Sequence, residues 1–159
     1  MQKLMRRLAA GTAVLVLALA GVRADEEKVP LDKLPKAVAD AVKAKFPNAE
    51  LVKAGKETEN GKTVYEVNLK SGGHSMDVTV SPAGKILEIE KTIAAKDLPK
   101  PVAQALEAKY PKATISKAEE ITKNDKIVAY EMVIVTADKK KLEVVFDPKG
   151  SFQKEEKKD

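Results

Sequence analysis

Few residues in this sequence could do chemistry. The 159-residue chain holds one histidine, His74, and no cysteine. His74 stands in "SGGHSMD" at 71–77, where Ser71 or Ser75 and Asp77 could supply a nucleophile and an acid. Such a set needs the side chains to converge. Neighbours in a strand point to opposite faces, so His74 and Ser75 diverge. A metal reading would join His74 to Asp77 or to glutamates, but no second ligand stands at a recognised spacing. His74 therefore reads as a solvated turn residue. Lack of cysteine excludes thiol catalysis, thiolate metal centres and disulfides. Carboxylates are numerous, and Glu66 and Glu131 fall at matching places in two similar segments. Paired carboxylates can do acid–base work, but most here stand beside lysines on expected solvated faces. No glycine-rich phosphate loop is present. With 4% aromatic residues and no Trp, the chain offers no stacking platform for single-stranded nucleic acid. No catalytic residue, metal ligand or cofactor is assigned, and an enzyme is not expected.

The ends of the chain bear on its destination. Lys3, Arg6 and Arg7 precede an apolar run, Leu8 to Val22. The run is shorter than the roughly 20 residues that span a bilayer. Val22-Arg23-Ala24 places small residues at the −3 and −1 positions of a cleavage site. The reading is a Sec-type signal peptide over 1–24, cut after Ala24, with no stable membrane anchor afterwards and a periplasmic or secreted product. Four of the 29 basic residues and none of the acidic ones lie in that segment. Residues 25–159 balance 25 lysines against 24 acidic residues, so the pI of about 9.2 does not argue for nucleic-acid binding. All arginines lie before residue 25, which rules out an anion site built on arginine forks.

The elements that must position any site come in two copies. "LPKAVADAVKAKFPNA" at 34–49 and "LPKPVAQALEAKYPKA" at 98–113 share 10 of 16 residues. Tyr65-Glu66 matches Tyr130-Glu131, and "SPAGK" at 81–85 echoes "DPKGS" at 147–151. Leu34, Val38, Val42 and Phe46 recur every four residues, as do Leu98, Val102, Leu106 and Tyr110, which predicts a helix in each copy. Pro35 and Pro99 suit first turns, Asp32 and Asp97 lie just upstream, and Pro47 and Pro111 stop the helices. The period then becomes two: Tyr65, Val67, Leu69 and Met76, Val78, Val80, then Val128, Tyr130, Met132, Ile134 and Leu142, Val144, Phe146. Asn60-Gly61, Gly72-Gly73 and Asn124-Asp125 mark tight turns. The expected fold is α+β: two tandem repeats, each one helix packed on an antiparallel sheet of about four strands. The expected units cover 25–92 and 93–153, with a charged tail over 154–159.

A helix closed by lysine, an aromatic and proline, followed by a meander with "YEV" or "YEM" and Pro-x-Gly turns, resembles the PepSY-like family of secreted bacterial proteins. The resemblance covers nearly all of the chain after residue 24, twice. It implies a binding or inhibitory module, since PepSY domains occur in peptidase propeptides and PepSY-like proteins are compared with the beta-lactamase inhibitory protein. That inhibitor's disulfides and aromatic-rich contact face have no counterpart here.

One asymmetry points to a surface. Away from the helix, the first copy shows Asn68, Lys70 and Thr79 where the second shows Val133, Val135 and Val145. A sheet apolar on both faces is covered by something. Packing against the other unit, the linker or a second chain is one reading. The other is a partner-binding face of Glu131, Val133, Val135 and Val145. The expected function is a non-catalytic module recognising a protein or peptide in the cell envelope, with inhibition of a peptidase or other enzyme as one form. The alternative is a carrier or sensor of a small ligand held between the units.

Overall fold

Each apolar stripe becomes one short helix. α1 spans Lys36–Lys45 and α2 spans Lys100–Lys109 in the computed structural model, which describes residues 27–59 and 61–158. The expected signal peptide and Asn60 lie outside the described residues. Val38 and Val42 in α1, like Val102 and Leu106 in α2, are buried. Pro35 and Pro99 sit at the N-caps without a side-chain cap, and their carbonyls accept the first helical hydrogen bonds. Asp32 and Asp97 fall in short 3-10 turns, Leu31–Lys33 and Ala95–Asp97, ahead of the helices. Phe46 and Tyr110 leave the helical region while their N–H groups still bond to Val42 and Leu106, and proline follows each.

The alternating segments pair as strands. β1 is Glu27–Val29, β2 Glu50–Glu59, β3 Lys62–Ser71, β4 His74–Val80 and β5 Ile86–Ile93. Then come β6 Thr114–Lys123, β7 Lys126–Val135, β8 Lys141–Phe146 and β9 Phe152–Lys157. Ser71 opposes His74 and Lys123 opposes Lys126, so these two hairpins each turn on two residues. Asn124 and Asp125 both carry positive φ, 50° and 58°, as the twist of a two-residue hairpin requires.

The expectation of two repeats, each a helix on its own sheet of about four strands, is corrected by the strand order. All strands form one nine-stranded antiparallel sheet, β1 to β9 in sequence order. The joint is β5 to β6, where Ile89 to Ile93 pair with Thr122 to Ala118. The physical reason is the strand edge. Two four-stranded units would each leave a row of unpaired N–H and C=O groups, and joining β5 to β6 satisfies both. At the far end, Lys154 to Lys157, expected in the charged tail, lie in β9 and pair with β8.

Two cores remain within the one sheet. One gathers Val38, Val42, Val67, Leu69, Val78 and Val80, and the other Val102, Leu106, Met132, Ile134, Val144 and Phe146. Ile89 packs against the first and Ile93 against the second. Those residues are four apart in β5 and share a face. Both helices therefore cover the same face, and no described element covers the other.

Candidate functional site: the uncovered sheet face

The uncovered face is set by parity. Tyr65, Val67 and Leu69 turn to the helices, so Glu66, Asn68 and Lys70 turn away. Register then carries the pattern across the sheet: Asn68 opposes Asp77, Asp77 opposes Glu90, Thr92 opposes Glu119, and Glu119 opposes Glu131. The middle of this face is acidic. Single carboxylate oxygens of Asp77, Glu90 and Glu119 lie within 4.8 Å of one another. Glu119 is 3% exposed although no second layer covers it, so neighbouring side chains must enclose it.

Two of these contacts oppose like charges directly across a strand pair, which destabilises a sheet while both are ionised. Relief comes unevenly. Lys117 Nζ lies 2.8 Å from Glu119, and Lys123 and Lys158 pair with Glu88 and Glu143 at the margins. Asn68 Nδ2 donates to Glu66 Oε1 at 3.2 Å and to the Asp77 carboxylate. Its Oδ1 is buried without a hydrogen-bond partner. Burial, with Glu131, Glu119, Glu88 and Asp77 nearby, pushes the Glu90 carboxyl up to about 8. Burial, then Glu143 and Glu119, pushes Glu131 up to about 7 against the pull of Lys158 and Lys117.

The arrangement can hold a proton, and its donor type suits a hard cation. Three carboxylates would supply only part of the roughly six to eight oxygens such an ion takes, and Lys117 already occupies one of them. His74 stands at the start of β4, exposed, with Nδ1 2.9 Å from the Thr92 carbonyl oxygen. It bonds to backbone, and no described contact joins it to a nucleophile. Glu66 and Glu131 share the outer face but sit on β3 and β7, in different halves of the sheet.

The sequence-derived patch is brought together beside this cluster. Glu131 opposes Val145, Val133 opposes Glu143 and Val135 opposes Lys141. Val133 and Val145 are half-buried and Val135 is 37% exposed. The helices lie on the other face, so they do not cover these valines. The face is also more charged than three valines suggest, because Glu131 and Glu143 interleave with them. Sequence reading missed Asp77, Glu90 and Glu119 as a group. Glu88 and Glu90, two apart in an apolar strand, were the available hint; the register of β5 on β6 was not.

A cavity of about 290 Å³ does lie between the halves, on the helix side near Lys45, Ile86, Leu87 and Asp125. Lys45 Nζ reaches Asp125 Oδ1 across the divide at 2.6 Å. This mixed lining, bridged by an ion pair, differs from the apolar pocket that a small-ligand carrier would need.

A single antiparallel sheet with both helices on one side and an open face on the other defines a sheet-surface scaffold in which one element order occurs twice. The chain belongs to the family described as "Putative beta-lactamase-inhibitor-like, PepSY-like", whose sequence model matches residues 21–88 and 81–154. Solved structures share the fold. A BLIP-like protein of Bacteroides fragilis is 18% identical, with a TM-score of 0.61 over 77% of this chain and 84% of its own. A Bacteroides eggerthii protein described as "putative periplasmic" is 15% identical, with a TM-score of 0.67 over 77% and 88%. A DUF2874 family protein of Bacteroides uniformis is also 15% identical, with a TM-score of 0.66 over 77% and 88%. No curated protein matches the chain.

Proposed function

We propose that this chain is an exported, non-catalytic binding module that recognises a protein or peptide in the periplasm through its uncovered sheet face. The observation that carries the reading is the placement of both helices on one face. That leaves the opposite face free over strands of both halves, with Val133, Val135 and Val145 beside the central carboxylates. A broad face with an apolar patch rimmed by charge suits a macromolecular partner better than a small one. Family membership supports a binding role, and the inhibitor-like description favours an enzyme as the partner. The basic and apolar leader at 1–24 and the neighbour described as periplasmic favour export.

The test is capture from envelope extract on immobilised residues 25–159, beside a Val133→Glu, Val135→Glu variant verified as folded by circular dichroism. One partner held by the wild type and released by at least tenfold in the variant supports the reading. A partner held equally by both moves the interface off this face. Retention of nothing at micromolar protein counts against a binding module.

A further inference from the structure

The joint between the halves of the sheet carries a charge arrangement that the binding reading does not require. Asp77 comes from β4, Glu90 from β5, Glu119 from β6 and Glu131 from β7, so the group straddles the β5–β6 pairing. Asp77 faces Glu90 on one side of the joint and Glu119 faces Glu131 on the other. Glu90 and Glu119 approach diagonally across it, within the 4.8 Å group. We propose that this joint is a proton-sensitive element: Glu90 and Glu131, each directly opposed to another carboxyl across a strand pair, hold protons in the folded protein, and losing those protons loosens the pairing of β5 with β6.

The charge balance around Glu90 supports this from every neighbouring strand. β4 presents Asp77, β5 presents Glu88, β6 presents Glu119 and Lys117, and β7 presents Glu131. β3 contributes Asn68 and Glu66 beyond Asp77. Glu88 has its own lysine, Lys123, at 2.6 Å, and Lys117 is engaged by Glu119. Among the described residues, Lys123 and Lys117 make their ion pairs with carboxylates other than Asp77 and Glu90, and Lys117 attracts those two only from further off. A proton is the smallest neutraliser, and a directly opposed carboxyl pair that shares one becomes a hydrogen bond in place of a repulsion. A carboxyl raised to about 8 from 4.5 favours the protonated folded state. Its stabilisation is complete below about 4.5 and is lost as the pH rises through about 8.

The test is a titration of the side-chain carboxyls by carbon-13 NMR, with amide hydrogen exchange at pH 6 and pH 8.5. Exchange rates are corrected for intrinsic base catalysis. Glu90 or Glu131 is expected to titrate above about pH 6, outside the ordinary range. Protection of Ile89–Ile93 and Ala118–Ile121 is expected to fall at least tenfold more than that of β2–β3 between the two conditions. Glu90→Gln should abolish the difference, whereas His74→Gln, which removes the imidazole, should leave it intact. Titration of both Glu90 and Glu131 near 4 to 5 would overturn the proposal without any variant. So would pH-independent protection at the joint, or a Glu90→Gln protein that behaves as the wild type.

Discussion

Among single residues, the clearest constraints are two glycines under the helix starts. Gly84 has φ +82°, and a Cβ there would lie 2.5 Å from the Ala37 carbonyl oxygen. Gly150 has φ +85°, and its Cβ would lie 2.5 Å from the Pro101 carbonyl oxygen. Each turn passes against backbone that cannot yield, and positive φ adds strain for any L side chain. Gly84→Ala and Gly150→Ala are each expected to cost about 1–3 kcal/mol in urea unfolding. Gly61→Ala meets no heavy atom and should cost less, through φ alone. The matching turns were visible in the sequence as "SPAGK" and "DPKGS". Their contact with the helices was not, since it depends on how each helix lies across the sheet.

Among the helices and strands, α2 and β7 to β9 show how the second half is held. Met132 and Ile134 are fully buried beneath α2. Met132→Ala removes packed volume that the surrounding strands cannot refill, and a loss of about 2–5 kcal/mol is expected in denaturant unfolding. β9 is tied down by aromatic and charged contacts. Phe152 meets Phe146 edge to face at 5.7 Å, Lys109 Nζ lies 4.1 Å over the Phe152 ring, and the Tyr110 hydroxyl donates to Glu155. A lysine- and glutamate-rich segment looks like a solvated tail when read alone. As an edge strand, the same charges discourage further strands from adding to the sheet.

Across the protein as a whole, the β5–β6 joint couples two cores. The pairing gives the chain one sheet, while each core has its own helix. Lys91→Pro would remove an N–H that faces β6 from inside a central strand, where proline is poorly tolerated. Calorimetry is expected to show one transition for the wild type and two, or one broad low-temperature transition, for the variant. An unchanged single transition would mean that contacts such as Lys45–Asp125 couple the halves instead. The uncovered face spans this joint, so whatever binds there would feel its stiffness.

Local and periodic features were legible in the residues alone. Four-residue spacing of Val38, Val42 and their counterparts placed the helices, and alternation placed the well-marked strands. Asn124-Asp125 and the glycine pair marked turns, because those residues tolerate the backbone that two-residue hairpins demand. Parity also placed Glu131, Val133, Val135 and Val145 on the face away from the helix. That the halves share one sheet emerged only in the folded chain. Edge pairing is made by backbone groups common to almost every residue, so side-chain identity barely signals it. The same pairing created the carboxylate cluster, since Asp77 and Glu119 meet only once β5 docks on β6 in one register.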